Sequence, residues 1–178
     1  MLDACAAPGG KTCHVLEIAD VELTAIDSDA MRLQRVQENL DRLALRAQLR
    51  CADASRPEGW WDGRLFDRIL CDAPCSSSGV VRRHPDSKWL RREADIATYV
   101  ERQAQLLDGL WQVLATGGKL LYATCSLFEE ENGNQVRRFM ARHPDARRLP
   151  IELPQATDGQ LIPDSEHDGF FYALLAKA

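Results

Sequence analysis

The chain has 178 residues and a net charge of −5, from 22 lysines and arginines against 27 aspartates and glutamates. Its length fits one compact domain, and its apolar fraction of 45% is that of a globular protein, which excludes disordered and collagen-like chains. No apolar run approaches the ~20 residues that span a bilayer, so we expect no membrane segment. Because no signal-peptide pattern precedes the first motif, we expect a cytoplasmic chain whose six cysteines remain thiols.

Strands and helices are predicted to alternate along the chain. Apolar runs predict strands at residues 2–5, 23–27, 48–52, 66–71, 119–124 and 169–176. Helical spacing predicts helices at residues 11–19, at 29–45 with Ser28 or Asp29 as N-cap, over the apolar face 96–114 with an end at Gly117 and Gly118, and at 129–142. Alternation with nearly continuous apolar strands predicts an α/β fold whose mostly parallel sheet is covered by helices on both faces.

The residues that follow the predicted strands are the candidate ligand site, because such sheets bind ligands beyond the carboxyl ends of their strands. The first strand leads into a glycine-rich turn and a helix start, where backbone amides can approach a ligand. This turn consists of Cys5, Ala6, Ala7, Pro8, Gly9, Gly10 and Lys11. The next four strands are followed by Asp27, Asp53, Asp72 and Cys125, of which Asp27 can accept both hydroxyls of a ribose.

Each of these features alone also fits a turn, a helix cap or a buried thiol, so the site hypothesis rests on their convergence. The glycine pattern matches neither the dinucleotide fingerprint nor the phosphate loop, which disfavours nicotinamide and nucleoside-triphosphate sites. Cys-x-x-Cys spacing is absent and the four histidines are scattered, so we expect no metal.

A basic segment follows the fourth predicted strand. Within residues 82–92, five cations face one anion, a net +4: Arg82, Arg83, Lys88, Arg91 and Arg92 against Asp86. This pattern predicts either a phosphate-contacting patch or a solvated charged loop, and His84 could contact phosphate or cap the loop.

Four motifs in order carry a specific resemblance that covers essentially the whole chain. They are Asp-Ala-Cys-Ala-Ala-Pro-Gly-Gly-Lys-Thr at 3–12, Asp-Ala-Pro-Cys-Ser-Ser-Ser-Gly at 72–79, Thr-Cys-Ser at 124–126 with Glu-Glu-Asn at 130–132, and Asp-Gly-Phe-Phe at 168–171. Together they resemble the RNA (cytosine-5) methyltransferases of the RsmB/NOP (Sun) family. The basic segment most resembles bacterial members that act on small-subunit ribosomal RNA.

The resemblance implies the Rossmann-like fold of class I methyltransferases that depend on S-adenosylmethionine (SAM). In that fold a mostly parallel sheet of the seven-stranded type has helices on both faces and an antiparallel last strand, and here its first strand would be truncated. It implies that residues 5–11 wrap the methionine end of SAM, that Asp27 holds the ribose and Asp53 the adenine, and that Asp72 lies near cofactor and base. It also implies an RNA partner, for which we expect contacts from Arg82, Arg83, His84 and Lys88.

The same resemblance implies covalent catalysis, because carbon-5 of cytosine is a poor nucleophile unless a thiolate first adds to carbon-6. Cys125 takes the role of the nucleophile, Cys75 assists product release, and Asp72 hydrogen-bonds the ring nitrogen or amino edge of the base. The other cysteines, Cys13, Cys51 and Cys71, are predicted to be packing residues.

Family members carry an RNA-binding region upstream of the first motif, whereas this chain opens inside the first strand. We therefore expect one catalytic domain over residues 1–178, monomeric, with SAM binding retained but weak RNA affinity and turnover. One alternative is a DNA cytosine-5 methyltransferase with Cys75 as the nucleophile. This chain lacks the Glu-Asn-Val motif that such an enzyme should carry, and the alternative leaves the Thr-Cys-Ser motif unexplained. The other is a SAM- or RNA-binding fragment without turnover.

Overall fold

The computed structural model describes residues 1–86, 89 and 91–178. In these ranges the chain forms four α-helices: α1 (Gly10–Ile18), α2 (Ala30–Arg42), α3 (Glu93–Val113) and α4 (Gly133–Arg142). The same ranges contain eight strands: β1 (Leu2–Ala4), β2 (Thr24–Asp27), β3 (Gln48–Cys51), β4 (Phe66–Asp72), β5 (Leu114–Thr124), β6 (Ala146–Leu149), β7 (Gln160–Leu161) and β8 (Phe170–Lys177). Short 3-10 helices lie at Pro57–Gly59 and Ser78–Val80.

The strands form one mixed sheet in the order β3-β2-β1-β4-β5-β8-β6, and β7 pairs with β8. All neighbours from β3 to β5 are parallel, whereas β8 runs antiparallel to β5, β6 and β7. β1 lies between β2 and β4, and Leu2 pairs with both Thr24 and Ile69. The predicted α/β architecture with an antiparallel last strand is confirmed.

Helices cover both faces of the sheet. Successive strand residues point to opposite faces, and because they are apolar on both, each face must be buried. Ile26 faces the larger apolar cluster, which includes Leu107 and Leu110 of α3 and Phe139 of α4. Ala25 faces the other side, where α1 and α2 pack. This arrangement leaves the carboxyl ends of β1, β2, β4 and β5 together at one edge.

Three element predictions are corrected. α3 ends at Val113, not at Gly117 and Gly118, because Leu114 already pairs with Phe66 of β4. The register then shifts so that Arg68 faces Lys119, and the glycines lie in this irregular start of β5, with Gly117 at φ +76°. α4 begins at Gly133 rather than at residue 129, and the short strands β6 and β7 were not predicted.

No helix in the described ranges is both long and apolar enough to cross a bilayer.

Candidate active site

The turn after β1 is held by its backbone. The Ala6 amide donates to the carbonyl of Ile26 at 2.9 Å, and the Gly9 amide donates to that of Ala6 at 2.8 Å. Gly9 is the N-cap of α1 at φ +101°, and a Cβ there would lie 3.0 Å from the Cα of Val36. A Cβ on Gly10 would meet nothing within 4 Å. The turn thus packs tightly at Gly9 and leaves open space at Gly10, where the α1 amides begin.

Asp27 fastens this turn to the end of β2. Its buried carboxylate accepts from the Ala7 amide at 3.1 Å and from the Asp29 amide at 3.0 Å. Arg32 donates to the carbonyl of Ala7 at 3.0 Å, and Asn39 donates to the carbonyl of Pro8 at 3.0 Å. Each Asp27 oxygen has a second lone pair that can accept a hydroxyl.

A narrow cleft runs from this turn to the loop after β3. Asp53 accepts at Oδ1 from the amide and the hydroxyl of Ser55, at 3.0 and 2.7 Å. Burial by itself would raise the pKa of Asp53, but the bonds from Ser55 outweigh it and hold that pKa below its usual range. The cleft is lined by polar and apolar groups, among them Cys5, Asp27, Ser28, Asp53, Arg102 and Leu106. Two carboxylates can accept hydrogen bonds from the hydroxyl and amino groups of a nucleoside, and the apolar wall beside them can contact its base.

Asp72 ends β4 and forms an ion pair with Lys11, the last residue of the glycine-rich segment. The Lys11 Nζ lies 2.6 Å from the Asp72 Oδ2. Burial would lower the pKa of Lys11, but the Asp72 carboxylate raises it and the net shift is upward. The pair joins the turn after β1 to the loop that carries Cys75.

The two cysteines predicted to be catalytic are in contact. Cys75 follows β4 and Cys125 follows the adjacent parallel strand β5, and their Sγ atoms lie 3.4 Å apart although 50 residues separate them. The hydrogen bond from Cys75, helped by Ser77 at 3.6 Å, outweighs burial and lowers the pKa of Cys125 to about 7. Donating that bond, together with burial, raises the pKa of Cys75. The opposite directions of these two pKa shifts, together with the greater exposure of Cys125, favour Cys125 over Cys75 as the thiol that ionises.

The remaining cysteines differ in burial. Cys13 and Cys71 are buried, as predicted for packing residues. Cys51 is exposed, so its prediction as a packing residue is wrong: it ends the edge strand β3, with its Sγ 3.9 Å from the carbonyl oxygen of Ser28. Cys5 belongs to the turn, and burial raises its pKa to about 12. No group of three potential metal ligands occurs among the residues that the structure describes.

Arg82 and Arg83 of the basic segment pair with a buried carboxylate. The Arg82 Nη2 lies 3.0 Å from the Oδ1 of Asp168, and the Arg83 Nε lies 2.6 Å from its Oδ2. The two arginine side chains remain 50% and 70% exposed, whereas that of Asp168 is 1% exposed. The pairing fastens this loop to the segment before β8 and leaves part of each guanidinium accessible. His84 in the same loop is exposed, and Lys88 lies outside the described residues.

Glycines allow three loops to meet beside Cys125. The Gly79 amide donates to the carbonyl of Cys125, and the Gly169 amide donates to that of Gly79, both at 2.9 Å. A Cβ on Gly79 would lie 2.2 Å from the carbonyl oxygen of Gly169. The motifs at 72–79 and 168–171 are therefore joined by backbone hydrogen bonds to each other and to the Thr-Cys-Ser motif at 124–126.

Glu131 and Asn132 are both fully buried, although the motif at 130–132 predicted no function for either of them. Asn132 accepts from the hydroxyl of Thr124 at 2.6 Å and donates to the carbonyl of Ser126 at 2.8 Å, which brackets Cys125. The signal that could have predicted this role is the pair of adjacent carboxylate and amide side chains a few residues after the Thr-Cys-Ser motif.

Comparisons with known proteins identify the family of this chain. A family model described as 16S rRNA methyltransferase RsmB/F matches residues 1–176. The chain belongs to the RsmB/F family. The ribosomal RNA small subunit methyltransferase B of Vibrio cholerae is 54% identical, over 99% of this chain and 41% of that protein. Its namesake from Shewanella oneidensis is 53% identical, over 100% of this chain and 43% of that protein.

A comparison with solved structures identifies the fold. The crystal structure of NSun6 from Pyrococcus horikoshii with SFG matches with a TM-score of 0.87 and 32% identity, over 99% of this chain and 47% of that chain. The fold is thus the Rossmann-like fold of SAM-dependent methyltransferases, and the family resemblance read from the motifs is confirmed. The chain spans about two fifths of the length of the curated relatives named above.

Proposed function

We propose that the chain is the single catalytic domain, residues 1–178, of a SAM-dependent methyltransferase that modifies carbon-5 of a cytosine in small-subunit ribosomal RNA, in the cytoplasm. The RsmB/F family match and the names of the relatives support the reaction class and the RNA. The observation that carries the cytosine-5 chemistry is the contact between Cys75 and Cys125, in which one thiol has a lowered pKa.

The cofactor proposed here is SAM, which would supply an electrophilic methyl group. Residues 5–11 would hold its methionine end, since the open space at Gly10 lets the α1 amides be approached. Asp27 would accept the ribose hydroxyls on its remaining lone pairs, and Asp53 would accept from the adenine amino group at Oδ2. NSun6, a neighbour with the same fold, was solved with SFG, a SAM analogue, which supports SAM as the cofactor.

Cys125 would act as the nucleophile. Its thiolate would add to carbon-6 of the cytosine, forming the sulfur–carbon bond, and the electrons of the double bond between carbon-5 and carbon-6 would shift to carbon-5. Carbon-5 could then take the methyl group as the bond between that group and the sulfonium sulfur of SAM breaks. Loss of the carbon-5 proton to water would restore the double bond and expel the Cys125 thiolate. The target base must leave its stack to reach the thiol.

Cys75 would assist the release of the product. Its S–H could donate to the Cys125 Sγ, 3.4 Å away, and would so stabilise the thiolate that departs as the adduct breaks down. The same contact disfavours the alternative with Cys75 as nucleophile, because Cys75 is only 7% exposed and its pKa is raised. Two thiols in contact at the reaction edge also disfavour the alternative of a fragment without turnover.

Asp72 would orient the base through a carboxylate oxygen. Its Oδ2 is paired with Lys11, and an ion-paired carboxylate accepts rather than donates hydrogen bonds. The family resemblance implied a contact to either the ring nitrogen or the amino edge of cytosine. A carboxylate that only accepts hydrogen bonds favours the amino edge, because the amino group is a donor and the unprotonated ring nitrogen is an acceptor. Accepting from the amino group would orient the base and polarise the N–H bond, so that the amino nitrogen releases more electron density toward carbon-5 as it takes the methyl group.

The RNA backbone would run along the loop that carries Arg82, Arg83, His84 and Lys88. The exposed portions of Arg82 and Arg83 can contact phosphates while Asp168 fixes their position. Ribosomal RNA as the substrate is consistent with this short basic stretch in an otherwise acidic chain.

Substitution of each thiol tests the assignment. Incubated with SAM and a cytosine-containing fragment of small-subunit ribosomal RNA, Cys75→Ala should accumulate a covalent protein–RNA adduct on denaturing gels, and Cys125→Ala should form none. Cys51→Ala, which removes an exposed thiol far from the pair, is the matched control and should behave as the parent chain. The reverse pattern, an adduct in Cys125→Ala alone, would overturn it.

A further inference from the structure

We propose that Glu131 is a positioning residue that holds the two catalytic cysteines at their reacting distance by binding the residue that follows each of them. The proposal deepens the function proposed above and rests on it for the roles of the two thiols. Ser76 directly follows Cys75, and Ser126 directly follows Cys125. Glu131 contacts both serines from one buried side chain.

The contacts of Glu131 span two loops that are distant in sequence. Its Oε1 accepts from the amide of Ser76 at 2.9 Å, and its Oε2 accepts from the hydroxyls of Ser76 and Ser126, each at 2.5 Å. Ser76 lies 55 residues before Glu131, whereas Ser126 lies 5 before it. A single carboxylate thus bridges the loop after β4 to the loop after β5.

A fourth donor completes the coordination of this carboxylate. The Gln103 Nε2 of α3 donates to the Glu131 Oε1 at 3.0 Å and to the carbonyl of Pro74 at 2.9 Å. Glu131 is 0% exposed, and a carboxylate has about four lone-pair positions, each of which here has a donor. Burial of such a group is costly unless all of its lone pairs are satisfied, so the network favours one arrangement of the three elements that it joins.

This arrangement determines how the thiols face each other. A hydrogen bond between sulfur atoms 3.4 Å apart is lost when its partners separate by about 1 Å, because hydrogen bonds weaken steeply with poor geometry. Asn132 anchors the Cys125 loop through Thr124 and Ser126, and Glu131 adds the connection to the Cys75 loop. Glu131 therefore acts on the reaction through Cys75 and Cys125 and contacts no reacting atom itself.

The test measures the ionisation of Cys125 directly, without RNA or SAM. The alkylation rate of Cys125 by iodoacetamide is followed from pH 5.5 to 10 by peptide mass spectrometry, in the parent chain and in Glu131→Gln. We expect the midpoint to rise from about 7 toward the usual thiol value of ~8.5, and the rate at pH 7 to fall about tenfold. Glu130→Gln makes the same change at an exposed neighbour and should leave the profile unchanged.

Each outcome decides the proposal. An unchanged midpoint in folded Glu131→Gln would overturn it, and a lower midpoint would show that Glu131 acts only through its charge, which also overturns it. If Glu131→Gln does not fold, Ser126→Ala takes its place: it removes one bond to Glu131, and we expect a smaller rise in the same direction, while no rise would overturn the proposal.

Turnover provides the second readout. In Glu131→Gln we expect kcat for methyl transfer to fall about tenfold or more, because misaligned thiols stabilise the transition state less well. The KM for SAM should not change, because Glu131 does not contact the proposed cofactor site. A raised KM for SAM with unchanged kcat would contradict a role at the thiols. Because the alkylation profile needs no methyl transfer, failure of the proposed function leaves this test of Glu131 readable.

Discussion

Backbone geometry holds the turn after β1, whereas buried side chains hold the two thiols after β4 and β5. In the turn, the Gly9 amide donates to the carbonyl of Ala6, the Ala6 amide donates to the carbonyl of Ile26, and one carboxylate from β2 fastens the loop. At the thiols, Glu131 joins loops that lie 50 residues apart, and the two sulfur atoms contact each other across neighbouring strands. Both regions lie at the same edge of the sheet.

The difference fits the two tasks proposed for this edge. A cofactor with a constant shape suits a turn made from main-chain groups, which cannot change rotamer. Covalent catalysis suits a side-chain network, because the ionisation of Cys125 depends on a contact that small displacements alter. Variants that affect one region should therefore leave the other intact, and this separation is what the following predictions test.

The largest effect is expected for Asp27→Asn. The variant places an amide where a carboxylate accepts from two backbone amides, so we expect SAM affinity measured by calorimetry to fall by ~10–100-fold. The alkylation profile of Cys125 should not change. Asp20→Asn, at an exposed carboxylate, is the control. Unaltered SAM affinity in folded Asp27→Asn would remove Asp27 from the cofactor site.

An intermediate effect is expected at the glycines of the turn. Gly9→Ala forces a left-handed backbone and a contact with Val36, and should lower the free energy of unfolding by ~1–3 kcal/mol in urea denaturation. Gly10→Ala meets open space and should change that free energy by less than ~0.5 kcal/mol, yet weaken SAM binding because its methyl group fills the cofactor approach. Equal destabilisation by both substitutions would refute a backbone-specific role of Gly9.

The smallest effect is a pH dependence from Asp3 of β1. Burial raises the pKa of Asp3 to about 6, so the folded chain holds this proton more tightly than the unfolded chain does. Its contribution to stability is therefore full below the unfolded pKa and is lost as the pH rises through 6, by about 1 kcal/mol between pH 5 and pH 7.

Asp3→Asn should remove this loss. Thermal unfolding at pH 5 and pH 7 should show a smaller stability difference in Asp3→Asn than in the parent chain, while Asp20→Asn should keep the parental difference. If the pH 5 to pH 7 difference is the same in all three proteins, Asp3 does not titrate as its burial implies.

The sequence predicted the features whose determinants are local. The glycine-rich turn and the N-cap of α2, which is Asp29 of the two candidates, follow from residues within a few positions of each other. The strand-end rule also brought Cys125 and Asp72 to one edge correctly.

What the sequence could not predict depends on pairing between distant residues. The bonds of Glu131 to Ser76, and of Arg82 to Asp168, join positions 55 and 86 residues apart. The end of α3 at Val113 is decided by the pairing of Leu114 with β4, which overrides the glycines that follow. Cys51 was assigned to packing by residue type, whereas its place on an edge strand leaves it exposed.

The most direct test of the account is the location of the covalent bond to RNA. A cytosine-containing RNA with fluorine in place of the carbon-5 hydrogen should trap the adduct in the presence of SAM, because fluorine, unlike hydrogen, cannot be lost as a cation once the methyl group has been added. Digestion and mass spectrometry then identify the modified cysteine. The account predicts RNA-derived mass on the peptide that contains Cys125; mass on the peptide that contains Cys75 would contradict it.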